Sequence, residues 1–277
     1  MKEGLPLCLY FVDPSFNQTQ ANPFDGNRPY GEDWIMLKLV ESADFTLFTG
    51  GGTDGIFRLV LTKATDHWPY RLFDFIGYES ALGKHIILAI NGEDYEAARR
   101  LYHGHSHKDT FLRPYEHPIL VHTTTKQSAA AIMDDRCLKS WNALHRLAAT
   151  RESAPIGSLL GDPPDYRDYI MFSNGGVSVE RVVSSRQRGS IEMDIDAPYI
   201  AGARFYFHGA KVARSGLLVR DGAHLKVRDA LPLADYLLWT ATPETLGIPA
   251  LTTPRLFAET ADQAFQAQFA IPLNRDS

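Results

Sequence analysis

Cysteine is scarce in this chain of 277 residues: Cys8 and Cys137 are the two it has. Two are too few for a disulfide framework or a cysteine-rich zinc site, and a reducing, cytoplasmic compartment is the expectation. Long apolar runs are missing as well. The stretch from His85 to Ile90 is typical of the longest, far short of the roughly 20 residues that cross a bilayer. The opening Met1 to Cys8 carries an apolar patch but no small-residue cleavage site, so no signal peptide is expected. A basic excess is also lacking. Lys and Arg number 28 against 33 Asp and Glu, and the net charge of -5 does not advertise nucleic-acid binding. Internal repeats and low-complexity tracts are not found.

What is there is the composition of a globular protein, 44% hydrophobic and 22% charged, which excludes wholesale disorder. The length suits one large domain or two modest ones. Charge is uneven: residues 1–98 hold 7 basic against 14 acidic side chains, and the remainder 21 against 19. A polyanionic ligand is therefore better received by the second part.

Residues 13 to 34 are rich in Asn, Pro, Asp and Gly and are expected to be loop. Trp34 to Val40 and Phe57 to Leu61 have strand character, with a glycine-rich hairpin turn from Thr49 to Gly55 between them. Tyr70 to Ile90 is expected to be two strands broken at Gly83, and Glu93 to Leu101 a helix with an acidic start and a basic end. Pro114 and Pro118 bracket the expected boundary. Beyond it come a strand from Pro118 to His122, a helix from Ala129 to Asp135 capped by Ser128, and a loop from 151 to 168. Further strands are expected at Tyr169 to Ser173, Ser190 to Asp196, Ala203 to Phe207 and Val212 to Arg220, the last turning through Arg220 to Ala223 into Leu225 to Val227. The fold class is α+β. The expected division is a smaller mixed α/β domain over 1–114, a β-rich domain over 115–242 and a C-terminal extension over 243–277.

Three kinds of chemistry compete for these residues. His103, His105 and His107, followed by His117 and His122, would point to one face of a strand and could chelate zinc, which makes a metal-dependent hydrolase one candidate. No later His/Asp pair completes such a site, and a polar loop fits the same spacing. No serine sits in a Gly-x-Ser-x-Gly elbow. Glu192, Asp194 and Asp196 share one strand face, the pattern of a solvated stripe. Arg100, Arg186 and Arg188 offer the planar fork that grips phosphate.

Arg100 to Ser106, with its Arg four residues ahead of Gly104-His105-Ser106, and Pro118 to Thr124 together resemble the NAD-dependent RNA 2'-phosphotransferases. The likeness runs over residues 84–240. It takes in Ala129 to Asp135, Tyr169 to Ser173, Arg186 ten residues ahead of Ile195-Asp196, and Gly202 to Tyr206. The resemblance implies an ADP-ribosyltransferase-like split β-sheet core that takes NAD as co-substrate. It further implies His122, Thr123, Thr124 and Ser173 as cofactor-binding residues, with Arg100 and Arg186 on an RNA 2'-phosphate. That phosphate would displace nicotinamide, and a ribose hydroxyl would then release the RNA. Thr123 stands where the family has glycine, and the family's upstream Leu-Arg-His has no match before residue 84. No metal and no membrane are expected. The alternatives are a mono-ADP-ribosyltransferase, with Glu180 and Glu192 as nominal acceptor-activating glutamates, and a non-catalytic nucleotide- or nucleic acid-binding module.

Overall fold

Stretches that are apolar at nearly every position, not every second one, belong to strands buried on both faces, as parallel sheets require. Trp34–Val40, interrupted only by Lys38, is such a stretch. In the computed structural model it lies inside a five-stranded sheet. The structure describes residues 8–16, 21–42, 44, 47–51, 56–65, 67–102, 104–147 and 155–273. The chain packs as two units. The first comprises Met1–Lys108, Leu160–Pro164 and Val219–His224; the second comprises Asp109–Leu159, Asp165–Leu218 and Leu225–Ser277. Among the described residues no helix is long and apolar enough to cross a membrane.

The sheet of the first unit is built from β1 (Leu9–Val12), β2 (Trp34–Val40), β3 (Leu47–Gly51), β4 (Phe57–Thr62) and β5 (His85–Ala89), in the order β1-β5-β2-β4-β3. β1, β5, β2 and β4 run parallel, and β3 closes one edge antiparallel to β4. Helix α1 (Trp68–Ala81) links β4 to β5, and α2 (Gly92–Leu101) follows β5. Residues 70 to 81 are thus helical, not the first of two strands. Their aromatic content favours strands, but Leu72, Phe75, Ile76 and Glu79 are buried at helical spacing, and Pro69 sits in the first turn where a missing N–H costs nothing. Part of the expected glycine-rich turn, Gly52 to Gly55, lies outside the described residues.

The second unit has an antiparallel sheet of β6 (Ile119–Thr124), β8 (Ala203–His208) and β11 (Leu237–Ala241), with β8 central. Another antiparallel pair joins β7 (Tyr169–Phe172) to β9 (Leu225–Arg228), and β10 (Ala230–Pro232) pairs with residues Cys137–Lys139. Along β8 the two-residue period divides the side chains. Ala203, Phe205 and Phe207 enter one apolar cluster with Leu120 and Phe172, while Tyr206 enters another with Val121 and Phe265.

Helix α3 (Lys126–Asp135) starts three residues before the expected position, because Thr125 and not Ser128 is its cap: the Thr125 hydroxyl accepts from the Ser128 amide at 3.2 Å. The expected strand over Ser190 to Asp196 does not form. There the acidic side chains bond nearby backbone amides, Asp194 N to Glu192 at 2.8 Å and Asp196 N to Asp194 at 2.9 Å, which replaces a ladder with local turns. Val212 lies in a short helix, Gly209–Arg214, so the strand expected from Val212 begins only at Leu218. Short 3₁₀ turns occupy Ile156–Leu160 and Pro164–Asp168 inside the expected loop.

The C-terminal stretch, expected as an extension, packs within the second unit. Its helix α5 (Pro254–Phe269) buries Phe257, Ala258, Ala261 and Phe265, and Phe265 stacks on Tyr206 with ring centroids 4.4 Å apart. His117 ties the segment after α5 to the start of β6: one ring nitrogen accepts from Ile119 N at 3.1 Å, and the other donates to the Pro272 carbonyl.

Gly202, at the entry to β8, is required by space. A Cβ there would lie 2.1 Å from the Thr124 carbonyl oxygen and 2.6 Å from the Thr125 carbonyl carbon. Gly202→Ala must push the end of β6 aside, at an expected cost of about 1–3 kcal/mol read by hydrogen exchange at the amides of β6 and β8; unchanged protection there would show that the strand end yields freely.

Candidate functional site

Two of the second unit's sheets, those of β6 and β7, meet at a narrow place. Val121 and Ser173 exchange backbone hydrogen bonds, Val121 N to Ser173 O at 2.8 Å and Ser173 N to Val121 O at 3.0 Å, in an isolated bridge. Past the bridge β6 runs on as His122, Thr123 and Thr124, while the other chain turns through Ser173 to Gly176. Gly175 and Gly176 have φ of 115° and 74°, a left-handed backbone that glycine adopts without strain.

His122 sits beside this split. It is half-buried, its ring meets Phe172 at 6.0 Å, and its Nδ1 lies 3.1 Å from the Met171 carbonyl oxygen. A carbonyl can only accept, so Nδ1 carries the hydrogen, and Nε2 of the neutral ring is left as an acceptor. Burial holds the His122 pKa below its ordinary 6.5, partly offset by the bond to Met171. The imidazole is therefore neutral at physiological pH. On the adjoining turn, Asn174 Oδ1 is buried without a hydrogen-bond partner among the described residues, and Ser173 Oγ lies within 3.4 Å of the Gly175 amide.

Thr123 points the other way. Its hydroxyl donates to Glu180 Oε1 at 2.7 Å, in a buried network opposite the His122 face. Glu180 comes from helix α4 (Ser178–Arg188) and also accepts from Tyr199 at 2.7 Å. Arg204 of β8, fully buried, lies between two carboxylates. Its Nη1 donates to Glu180 at 3.0 Å, its Nε and Nη2 each donate to Asp262 at 3.0 Å, and Tyr206 donates to Asp262 at 2.8 Å. The same network grips the turn: Arg204 Nη2 donates to the Gly176 carbonyl at 2.9 Å, and Gly176 N donates to Asp262 at 3.0 Å. Burial pushes the Glu180 carboxyl upward against the pull of Arg204, Thr123 and Tyr199. Burial works against the charge of Arg204, but Tyr206, Asp262 and Glu180 outweigh it and its pKa rises.

The expected site residues are therefore divided. His122, Thr124 and Ser173 lie around the split in the second unit, while Thr123 belongs to the buried network instead of the His122 face. Arg186 is half-buried in the last turn of α4, which packs against the Thr123 side of β6 through Glu180. Arg100 is exposed on α2 of the first unit. The structure thus does not bring Arg186 to the face of β6 that carries His122. Arg188 pairs with Glu192 at 3.1 Å, and Glu180 is held by three donors, so neither glutamate is an open base.

The histidine run gives no chelate among the described residues, where no three His, Cys, Asp or Glu side chains converge. His105 packs on Tyr70 and Tyr102, His107 on Tyr78, and His103 lies outside the described residues.

Sequence reasoning placed Glu180 only as a nominal base and missed Asp262. One signal was available: Arg204 is a charged residue between Ala203 and Phe205 in an apolar strand, and a charge there demands buried partners. Compared with known proteins, the chain matches no family model, no curated protein and no solved structure.

Proposed function

We propose that the second unit is an NAD-consuming transferase domain, acting as an RNA 2'-phosphotransferase does. The observation that carries the reading is His122: a neutral ring, anchored through Nδ1, with Nε2 free to accept from a hydroxyl beside the split between two sheets. The residues there suit a ribose. Nε2 of His122 is an acceptor, as a sugar hydroxyl needs. NAD supplies a ribose anomeric carbon from which nicotinamide departs. His122 binds and orients a ribose hydroxyl, and because the ring is uncharged it does not oppose the positive charge that builds on the sugar as the bond breaks. Apolar Phe172 beside the ring keeps water from its buried edge.

The acceptor is a phosphorylated RNA end or another nucleophile. The deciding experiment incubates the full chain with NAD and, in turn, 2'-phosphorylated RNA, plain RNA, DNA ends and cell lysate, followed by mass spectrometry. Nicotinamide release with loss of the 2'-phosphate is the expected result. Stable ADP-ribose on an acceptor would replace phosphate transfer by mono-ADP-ribosyl transfer, and NAD left intact with every acceptor would overturn the reading.

A further inference from the structure

The first unit has a cavity on the edge where its parallel strands end. Pro14 follows β1, Glu41 follows β2, Lys63 follows β4, and Asp94 lies in the first turn of α2 after β5; all line one cavity of about 300 Å³. From β2 the chain steps to β3 at one edge of the sheet, and α1 then returns it to β5 on the other side of β2. Strand order thus reverses between neighbours β2 and β5, and the crevice outside the carboxyl ends at such a reversal is where open α/β sheets take their ligands.

The polar groups in this cavity are of mixed sign. Lys63 Nζ pairs with Glu41 Oε1 at 2.5 Å and with Asp94 Oδ2. Asp94 is fixed further by Asn91, whose side-chain amide donates to Oδ2 at 2.5 Å. Glu41 is the most exposed member, with 79% of its side chain exposed against 23% for Lys63 and 21% for Asp94. Leu39, Val40 and Ile90 add an apolar wall beside the charges.

We propose that this cavity binds the vicinal diol of a neutral nucleoside, with the base on the apolar wall and the sugar hydroxyls on Glu41 and Lys63. A hydroxyl both donates and accepts, so each can give its hydrogen to the Glu41 carboxylate and receive one from the Lys63 ammonium. An anionic ligand is disfavoured, because two carboxylates, Glu41 and Asp94, face one ammonium, Lys63. Glu41, exposed at the rim, can offer its Oε2 to the sugar while Oε1 stays on Lys63, without disturbing the Lys63–Asp94 pair. The volume is at the small end for ligand sites, which suits a single nucleoside and not a dinucleotide.

The test is titration calorimetry on the full chain with adenosine, 2',3'-dideoxyadenosine and inorganic phosphate. Adenosine should bind saturably, the dideoxy analogue at least about tenfold more weakly, and phosphate should not compete. Glu41→Gln and Lys63→Met should each weaken adenosine about tenfold or more, while His122→Ala leaves it unchanged, which separates this cavity from the ribose reading of the second unit. No saturable binding up to about 10 mM, equal binding of the dideoxy compound, or loss with His122→Ala but not with Glu41→Gln would each overturn the assignment.

Discussion

Arg204→Met is expected to cost the second unit about 3–5 kcal/mol. The reason is what stays behind. Arg204 faces Glu180 and Asp262, so its removal leaves a fully buried Glu180 and a largely buried Asp262 with one fewer cation. Methionine refills the volume, so the loss reports charge and not a cavity. Because the chain packs as two units, a single unfolding midpoint is not the right readout. Hydrogen exchange at the amides of β6 and β8 follows the second unit directly, and protection there should fall in step with the lost free energy. Arg255→Ala, which breaks an exposed pair with Asp196 at 2.8 Å, serves as the control and should change nothing measurable. A loss of less than about 1 kcal/mol for Arg204→Met would mean that the network does not hold the charges described.

The same substitution should loosen the turn at Ser173 to Gly176, since Arg204 and Asp262 bond opposite ends of the Gly176 peptide segment. Stability and the candidate site are thereby coupled through one guanidinium. The C-terminal helix enters this coupling through Asp262, so α5 is part of what positions the split.

In the NAD assay, His122→Ala should lower turnover about 100-fold or more, the scale on which removal of one preorganised polar partner acts. His122→Gln, which restores an acceptor, should recover part of the loss. The pH profile carries the sign. Burial lowers the His122 pKa from 6.5, so Nε2 stays an acceptor as the solution is acidified through 6.5 and is protonated only below that. Turnover should hold to below pH 6.5 and then fall, and the glutamine variant should lose that acid limb. The same shift makes neutral His122 a stabilising group above 6.5 whose contribution is lost as pH falls from 6.5 toward the folded value. Turnover of the alanine variant within about twofold of the parent would remove His122 from the mechanism.

Much of the architecture could be read along the chain where the signal was local. Trp34–Val40 and Ala203–His208 are apolar at nearly every position, and only doubly covered strands satisfy that. The start of α3 was off by three residues because Thr125 and Ser128 are equally good caps, and which hydroxyl meets which amide depends on where β6 releases the chain. Residues 70 to 81 and 190 to 196 depart from their strand patterns for opposite reasons. In the first, helical burial overrode aromatic strand preference; in the second, strict alternation had no partner strand, and the acidic side chains turned to their own backbone.

The residues around the candidate site divide along the same line. Legible along the chain alone were a buried strand that carries His122, a strand that stops at Ser173 before two glycines, and Arg204 as a charge among apolar neighbours. Each is a statement about spacing within a few positions. Tertiary structure alone decided which way Thr123 faces, that Arg100 and His122 belong to separate units, and that Asp262, fifty-eight residues beyond Arg204, completes its salt bridge. Contacts at such separation arise only when the chain folds back on itself, because a charge buried by one strand must find its partner wherever packing places one.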